Sequence, residues 1–141
     1  MCGIAGVWMK AGGTPSRDLL THFSHSLHHR GPDAVGIRIS GSVGLVNRRL
    51  KVIDLSDKAN QPFEDGADIL SFNGEIFNHV DLRRELSPFY EFTSHSDTEV
   101  LFRALQHWGP SVLDRLRGQF AFAFVDSRRG ELILARDHVG I

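Results

Sequence analysis

The residue with the most distinctive chemistry stands at the start of the chain. Cys2 follows Met1 directly and is the only cysteine among the 141 residues. Removal of Met1 before this small residue would leave a thiol and a free α-amine on one residue. An α-amine titrates unperturbed at about 7.7–8.0, so near neutrality part of it is deprotonated. It can take the proton of a thiol that attacks a carbonyl. Nucleophile and base then share one residue, and no catalytic histidine is needed. Elsewhere in a chain a lone cysteine would read as a small buried hydrophobe.

Acyl transfer also needs donors aimed at the developing oxyanion. Asn73-Gly74 offers a side-chain amide and a close backbone N–H at a strand end. An amino-acid substrate needs a cation for its carboxylate and an acid for its ammonium. Arg48 or Arg49 can supply the first through a bidentate contact. Glu75 or Asp97 can supply the second. Taken singly, these residues have plainer readings. Asn73-Gly74 is an ordinary turn pair, the charged groups are solvated, and Asp97 suits the first turn of a helix.

The elements that must position them follow from hydrophobic period and turn chemistry. Residues 2–8 read as a short, buried, glycine-rich strand. Thr14-Pro15 opens a helix with Leu19, Leu20, Phe23 and Leu27 on one face, running to about His29. Strands are expected over 36–40, 43–48 and 50–54, with a hairpin turn at Gly41-Ser42. Residues 56–66 are polar, contain Pro62 and read as a loop; 67–72 form a strand ending at Asn73-Gly74. Asn78 can cap a helix carrying Val80, Leu82 and Leu86. Ser96-Asp97-Thr98-Glu99 matches a capping box before Val100, Leu101, Leu105 and Trp108. Gly109-Pro110 stops that helix, and a shorter one is expected over 111–116.

Phe120, Phe122 and Phe124 alternate with Ala121, Ala123 and Val125, so this strand is apolar on both faces. A hairpin loop over 126–130 leads to a return strand over 131–136. A strand buried on both faces requires layers above and below, which points to helices covering packed sheets. The Phe stripe is core packing, not a cofactor box.

Composition excludes several classes. Net charge is −1, with 41% hydrophobic and 23% charged residues. That gives no electrostatic case for nucleic acid or an anionic membrane. No apolar run approaches the ~20 residues of a membrane span, and no signal peptide is visible. The cytoplasm is the default compartment. One cysteine permits no internal disulfide and no cysteine-based metal site. His22, His25 and His29 share a helix face, but that face lies opposite the apolar one, so a row of solvated imidazoles is expected and no metal site.

The motifs are more specific together than apart. Residues 1–7 (MCGIAGV), 29–33 (HRGPD), 49–54 (RLKVID), Gln61-Pro62, 72–79 (FNGEIFNH), 96–99 (SDTE), 118–123 (GQFAFA) and 135–141 (ARDHVGI) form an ordered series. It resembles the N-terminal domain of glutamine-dependent asparagine synthetases. That domain is a class II glutamine amidotransferase of the N-terminal-nucleophile hydrolases. The resemblance implies an α+β fold, an αββα sandwich of two antiparallel sheets flanked by helices. It implies Cys2 as nucleophile with its own amine as base, and Asn73 and Gly74 as the oxyanion hole. Arg49 would hold the glutamine α-carboxylate with backbone groups near Val52 and Ile53, and Glu75 and Asp97 its α-ammonium. The chemistry implied is attack on the side-chain amide, a γ-glutamyl thioester, release of ammonia and hydrolysis to glutamate.

On this resemblance residues 1–141 are one amidotransferase domain, incomplete at its C-terminus and lacking the synthetase domain. No cofactor is expected in this domain; ATP and magnesium belong to the synthetase domain. The partners implied are glutamine and that C-terminal domain, with no nucleic acid and no membrane; a homodimer is left open. Asn47-Arg48-Arg49-Leu50 lacks the aromatic after the arginine that marks the glucosamine-phosphate and phosphoribosylamine types. Two alternatives stay open: another carboxylate acceptor in secondary or surface-sugar metabolism, and an inactive fragment serving as an interaction module.

Overall fold

The computed structural model describes residues 2–52 and 54–140. Ile53, one of the expected carboxylate contacts, therefore lies outside the described residues. The chain runs β1 (Gly3–Trp8), α1 (Arg17–Ser26), β2 (Ala34–Ser40), β3 (Val43–Arg49), β4 (Phe63–Asp65), β5 (Asp68–Ile76), α2 (His79–Leu86), α3 (Asp97–Trp108), β6 (Gly118–Asp126) and β7 (Glu131–Arg136). Short 3-10 helices lie at His28–Arg30, Asp57–Ala59 and Gly109–Asp114.

The strands form a three-stranded sheet, β1-β3-β2, and a four-stranded one, β4-β5-β6-β7. All strand pairs are antiparallel. α1 packs on the first sheet, α3 packs on the second with α2 against it, and β1 and β3 meet β5 between the layers. This is the expected αββα sandwich. Alternation along β6 explains the layering. Phe120, Phe122 and Phe124 join Val100, Leu101, Phe102 and Leu105 in the core beneath α3. Phe102 and Phe124 meet edge to face at 5.7 Å, a favoured aromatic geometry. The opposite face of β6 places Ala123 and Val125 with Val43, Leu45 and Ile69 between the sheets.

Several boundaries differ from the sequence expectation. β5 does not end at Phe72; it continues through Asn73-Gly74 to Ile76 because β6 offers a partner along that whole length. Residues 50–52 and 54 are not a strand. That segment is held by side chains instead: the Asp54 carboxylate accepts Ser56 N–H at 2.8 Å and His95 N–H at 3.0 Å. α1 begins at Arg17 and ends at Ser26, and its N-cap Ser16 makes no side-chain cap bond. The polar loop contains β4, and the expected helix over 111–116 is the 3-10 turn Gly109–Asp114. β1 is only partly buried, since it is an edge strand with Trp8 half exposed.

α3 starts as its sequence predicts, with one difference. Ser96 Oγ accepts Glu99 N–H at 3.2 Å. The Glu99 carboxylate does not return to Ser96 N–H but reaches further back. It accepts from Thr93 N–H (2.9 Å), Thr93 Oγ1 (3.1 Å), Ser94 N–H (2.7 Å) and Ser94 Oγ (2.6 Å). Burial alone would raise this carboxyl, yet the Ser94 and Thr93 donors together hold it below its usual range. A depressed folded pKa gives stability that is present above the unfolded pKa and lost as pH falls through the folded one. Glu99→Ala strands these buried donors and should lower unfolding free energy by about 3 kcal/mol. Urea titration at pH 7 checks this, and the difference should shrink on acidification.

Candidate active site

Cys2 precedes the first rung of the β1–β3 ladder, Gly3↔Arg48. Its sulfur accepts Leu50 N–H at 3.3 Å and lies 3.8 Å from Leu50 C=O. Arg30 Nε donates to Cys2 C=O at 3.2 Å. The 29–33 segment can lie this close because Gly31 has no side chain: a Cβ there would stand 2.2 Å from the Arg48 carbonyl oxygen. Asp33 then accepts Lys51 N–H at 2.9 Å and donates its own N–H to Arg49 C=O at 3.1 Å. The HRGPD motif is thus a brace on the corner where β3 leaves its sheet. His29 is exposed and supplies no contact to the cleft.

Alternation on β3 separates the two candidate arginines. Arg48 turns to α1, donating from Nε to Ser24 C=O at 3.0 Å. Arg49 turns to the cleft and is only 6% exposed. Its Nη1 donates to Ser56 C=O at 2.9 Å and Asn60 Oδ1 at 2.8 Å, and its Nη2 to Asp54 C=O. Its guanidinium therefore braces the 54–60 loop while placing its charge beside the cleft.

β5 contributes Asn73, Gly74 and Glu75. Gly74 has φ of 149°, and a Cβ there would lie 2.1 Å from Gln119 C=O on β6. Only glycine fits both the conformation and the approach. Asn73 Oδ1 is buried without a partner among the described residues. Backbone groups at 72, 74 and 76 alternate onto one edge of β5. Phe72 N–H on that edge is accepted by Gln61 Oε1 at 2.7 Å, and Ile76 N–H by Asp97 Oδ2 at 3.0 Å. Gly74 sits between these two satisfied positions.

Asp97 opens α3 and is 5% exposed. Burial raises its carboxyl pKa; the Ile76 N–H and the charge of His79 oppose this but do not win. Cys2, Arg49, Asn73, Gly74, Glu75 and Asp97 all line one cleft of about 220 Å³. That is below the ~300 Å³ at which pockets for drug-sized ligands begin, and it suits a ligand of amino-acid size. Val52 lines it too. Gln61, Thr98 and Gln119 share the lining; each falls in the motif series, but sequence reasoning gave none of them a site role. Gln61 sits in a polar loop before Pro62, and nothing local marks it as buried. No cluster of metal-ligating side chains occurs among the described residues.

The family of glutamine amidotransferase domains matches residues 1–141. This chain belongs to that family. Asparagine synthetase B [glutamine-hydrolyzing] of Escherichia coli is 38% identical over 143 residues, covering 100% of this chain and 26% of that protein. Amidase chyE of Penicillium rubens is 38% identical over 154 residues, covering 100% of this chain and 23% of the relative. The domain thus spans about a quarter of the length of these curated relatives. Its fold matches that of glutamine phosphoribosylpyrophosphate amidotransferase from B. subtilis, with TM-score 0.73 and 23% identity over 97% of this chain and 37% of that one. No helix among the described residues is long and apolar enough to cross a membrane.

Two outcomes follow for this cleft. Gly74→Ala should destabilise the fold by about 3 kcal/mol or more, seen as a lower urea midpoint with unchanged slope. Asp97 has a folded pKa raised above its unfolded value. Its contribution to stability is full below about pH 4 and is lost as pH rises through the folded pKa. Asp97→Asn keeps an acceptor for Ile76 N–H. It should melt above the parent at pH 7, with the gap closing by pH 3 in thermal scans.

Proposed function

We propose that this domain hydrolyses glutamine through a thioester on Cys2 and passes the ammonia to an ATP-dependent synthetase domain that amidates aspartate. The observation that carries the reading is the shared cleft. It brings a thiol from the chain start together with an oxyanion strand, one arginine and two acids.

In this mechanism the Cys2 α-amine takes the thiol proton as Sγ bonds to the side-chain amide carbon of glutamine. Asn73 Nδ2 and Gly74 N–H stabilise the oxyanion. The C–N bond breaks as the amine returns that proton to the leaving nitrogen, and ammonia departs. Water then attacks the thioester, giving its proton to the amine; the sulfur leaves, recovers a proton, and glutamate is released. Arg49 supplies positive charge for the α-carboxylate. Since its Nη atoms brace the loop, backbone groups near Val52 and Ile53 share that carboxylate. Glu75 and the buried Asp97 receive the α-ammonium. No cofactor is required for these steps. ATP and magnesium serve the synthetase domain, where aspartate is activated. The asparagine synthetase named among the relatives supports aspartate as the acceptor, and the equally similar amidase chyE keeps another acceptor as the second reading.

The test pairs intact mass with a glutaminase assay. Met1-free protein should release glutamate from glutamine, and Cys2→Ala should lower kcat by about a thousandfold or more. Equal rates for the Met1-free parent and Cys2→Ala would sink this reading.

A further inference from the structure

β4 accompanies β5 only as far as Phe63↔Leu70. Beyond that rung the strand keeps β6 on one side but, among the described residues, has no strand on the other. At Phe72 two side chains replace the missing ladder. Gln61 Oε1 accepts Phe72 N–H at 2.7 Å, and Asn47 Nδ2 donates to Phe72 C=O at 3.2 Å. The pair is joined, since Asn47 Nδ2 also reaches Gln61 Oε1 at 3.2 Å. Gln61 Nε2 then donates to Thr98 Oγ1 at 3.2 Å, next to Asp97 in the first turn of α3.

We propose that Gln61, supported by Asn47, is a positioning residue that clamps the Phe72–Asn73 segment and thereby sets Asn73 and Gly74 against Cys2. This rests on reading Asn73 and Gly74 as the oxyanion donors. Four observations carry it. The amide orientation of Gln61 is fixed, because Phe72 N–H must meet an oxygen. Asn47 cannot flip either: its Oδ1 would then face Gln61 Oε1 and Phe72 C=O, both acceptors. Asn47 is fully buried between the sheets, and its Oδ1 has no partner among the described residues. An apolar residue would pack there without that desolvation cost. Finally, the fold makes room for Gln61: a Cβ at Gly36 on β2 would lie 2.0 Å from the Gln61 carbonyl oxygen.

A longer β4 would satisfy Phe72 equally well, but it would run on along the edge where Gly74 faces the cleft. The side-chain clamp ends at one residue. It also ties the oxyanion strand to the helix that carries Asp97, so both ends of the substrate are registered by one amide.

Gln61→Met in Met1-free protein tests this with two readouts. Amide exchange at Phe72 should rise about tenfold or more, while Val100 and Leu105 inside α3 keep their protection. The kcat for glutamine should fall about ten- to a hundredfold, with KM changed less than about threefold. Gln61→Glu, which keeps the acceptor, should recover most of both. Should Gln61→Met not fold, Thr98→Val removes only the Nε2 acceptor and should shift both readouts about threefold. Unchanged exchange at Phe72 overturns the proposal, as does faster exchange with kcat within about twofold of the parent. A parent that hydrolyses no glutamine sinks the reading of the cleft instead, and exchange at Phe72 still decides the clamp.

Discussion

β5 runs six residues past its last rung with β4, from Leu70 to Ile76, and its outer edge must still be satisfied. The structure meets that constraint residue by residue. Gln61 and Asn47 take Phe72, and Asp97 takes Ile76 N–H while His79 Nδ1 lies 2.9 Å from Ile76 C=O. The cleft opens at the position between them. The candidate oxyanion donor is therefore a gap left in an otherwise completed strand edge. Its location is fixed by the same side-chain bonds that satisfy the outer edge of the strand, so precision at the site and completion of that edge share one cause.

The two acids at the start of α3 are both inaccessible to solvent yet are shifted in opposite directions. Glu99 is fully buried but receives two backbone N–H groups and two hydroxyls. These donors outweigh desolvation, so its charge is consumed in tying residues 93–94 to the helix. The Asp97 carboxylate accepts the backbone N–H of Ile76 and lines the cleft, and desolvation wins. A carboxylate in that state gains most from an incoming cation. A substrate ammonium would supply one.

What was legible in the sequence was periodic or local. The Ser96 cap, the Phe120–Phe122–Phe124 alternation and the layered sandwich follow from patterns within one element, and the structure holds all three. What was not legible depends on distant partners. Asn73-Gly74 has the composition of a turn, yet β6 extends the strand through it. Residues 50–54 look strand-like, but Arg49, His95 and Ser56 hold their far end as a loop. Arg48 and Arg49 are indistinguishable by type, and only the resemblance picks Arg49; the register of β3 against β1 is the physical reason that Arg49 meets the cleft. Gln61 belongs to the motif series, but its role was not legible, because its three partners lie 11 to 37 positions away.

A nucleophile that also supplies its own base, the role proposed for Cys2, must satisfy two opposed demands. Its nitrogen has to be free, while its sulfur has to stand still. The ladder of β1 begins at Gly3, so a nitrogen freed at Cys2 lies outside every rung and stays available to move protons. The rest of the residue is pinned from both sides, by Arg30 on its carbonyl and Leu50 N–H on its sulfur. Both anchors belong to the corner braced by Gly31 and Asp33. That is a physical reason for the HRGPD motif to lie near Cys2: it limits the motion of a residue that precedes the first rung of β1.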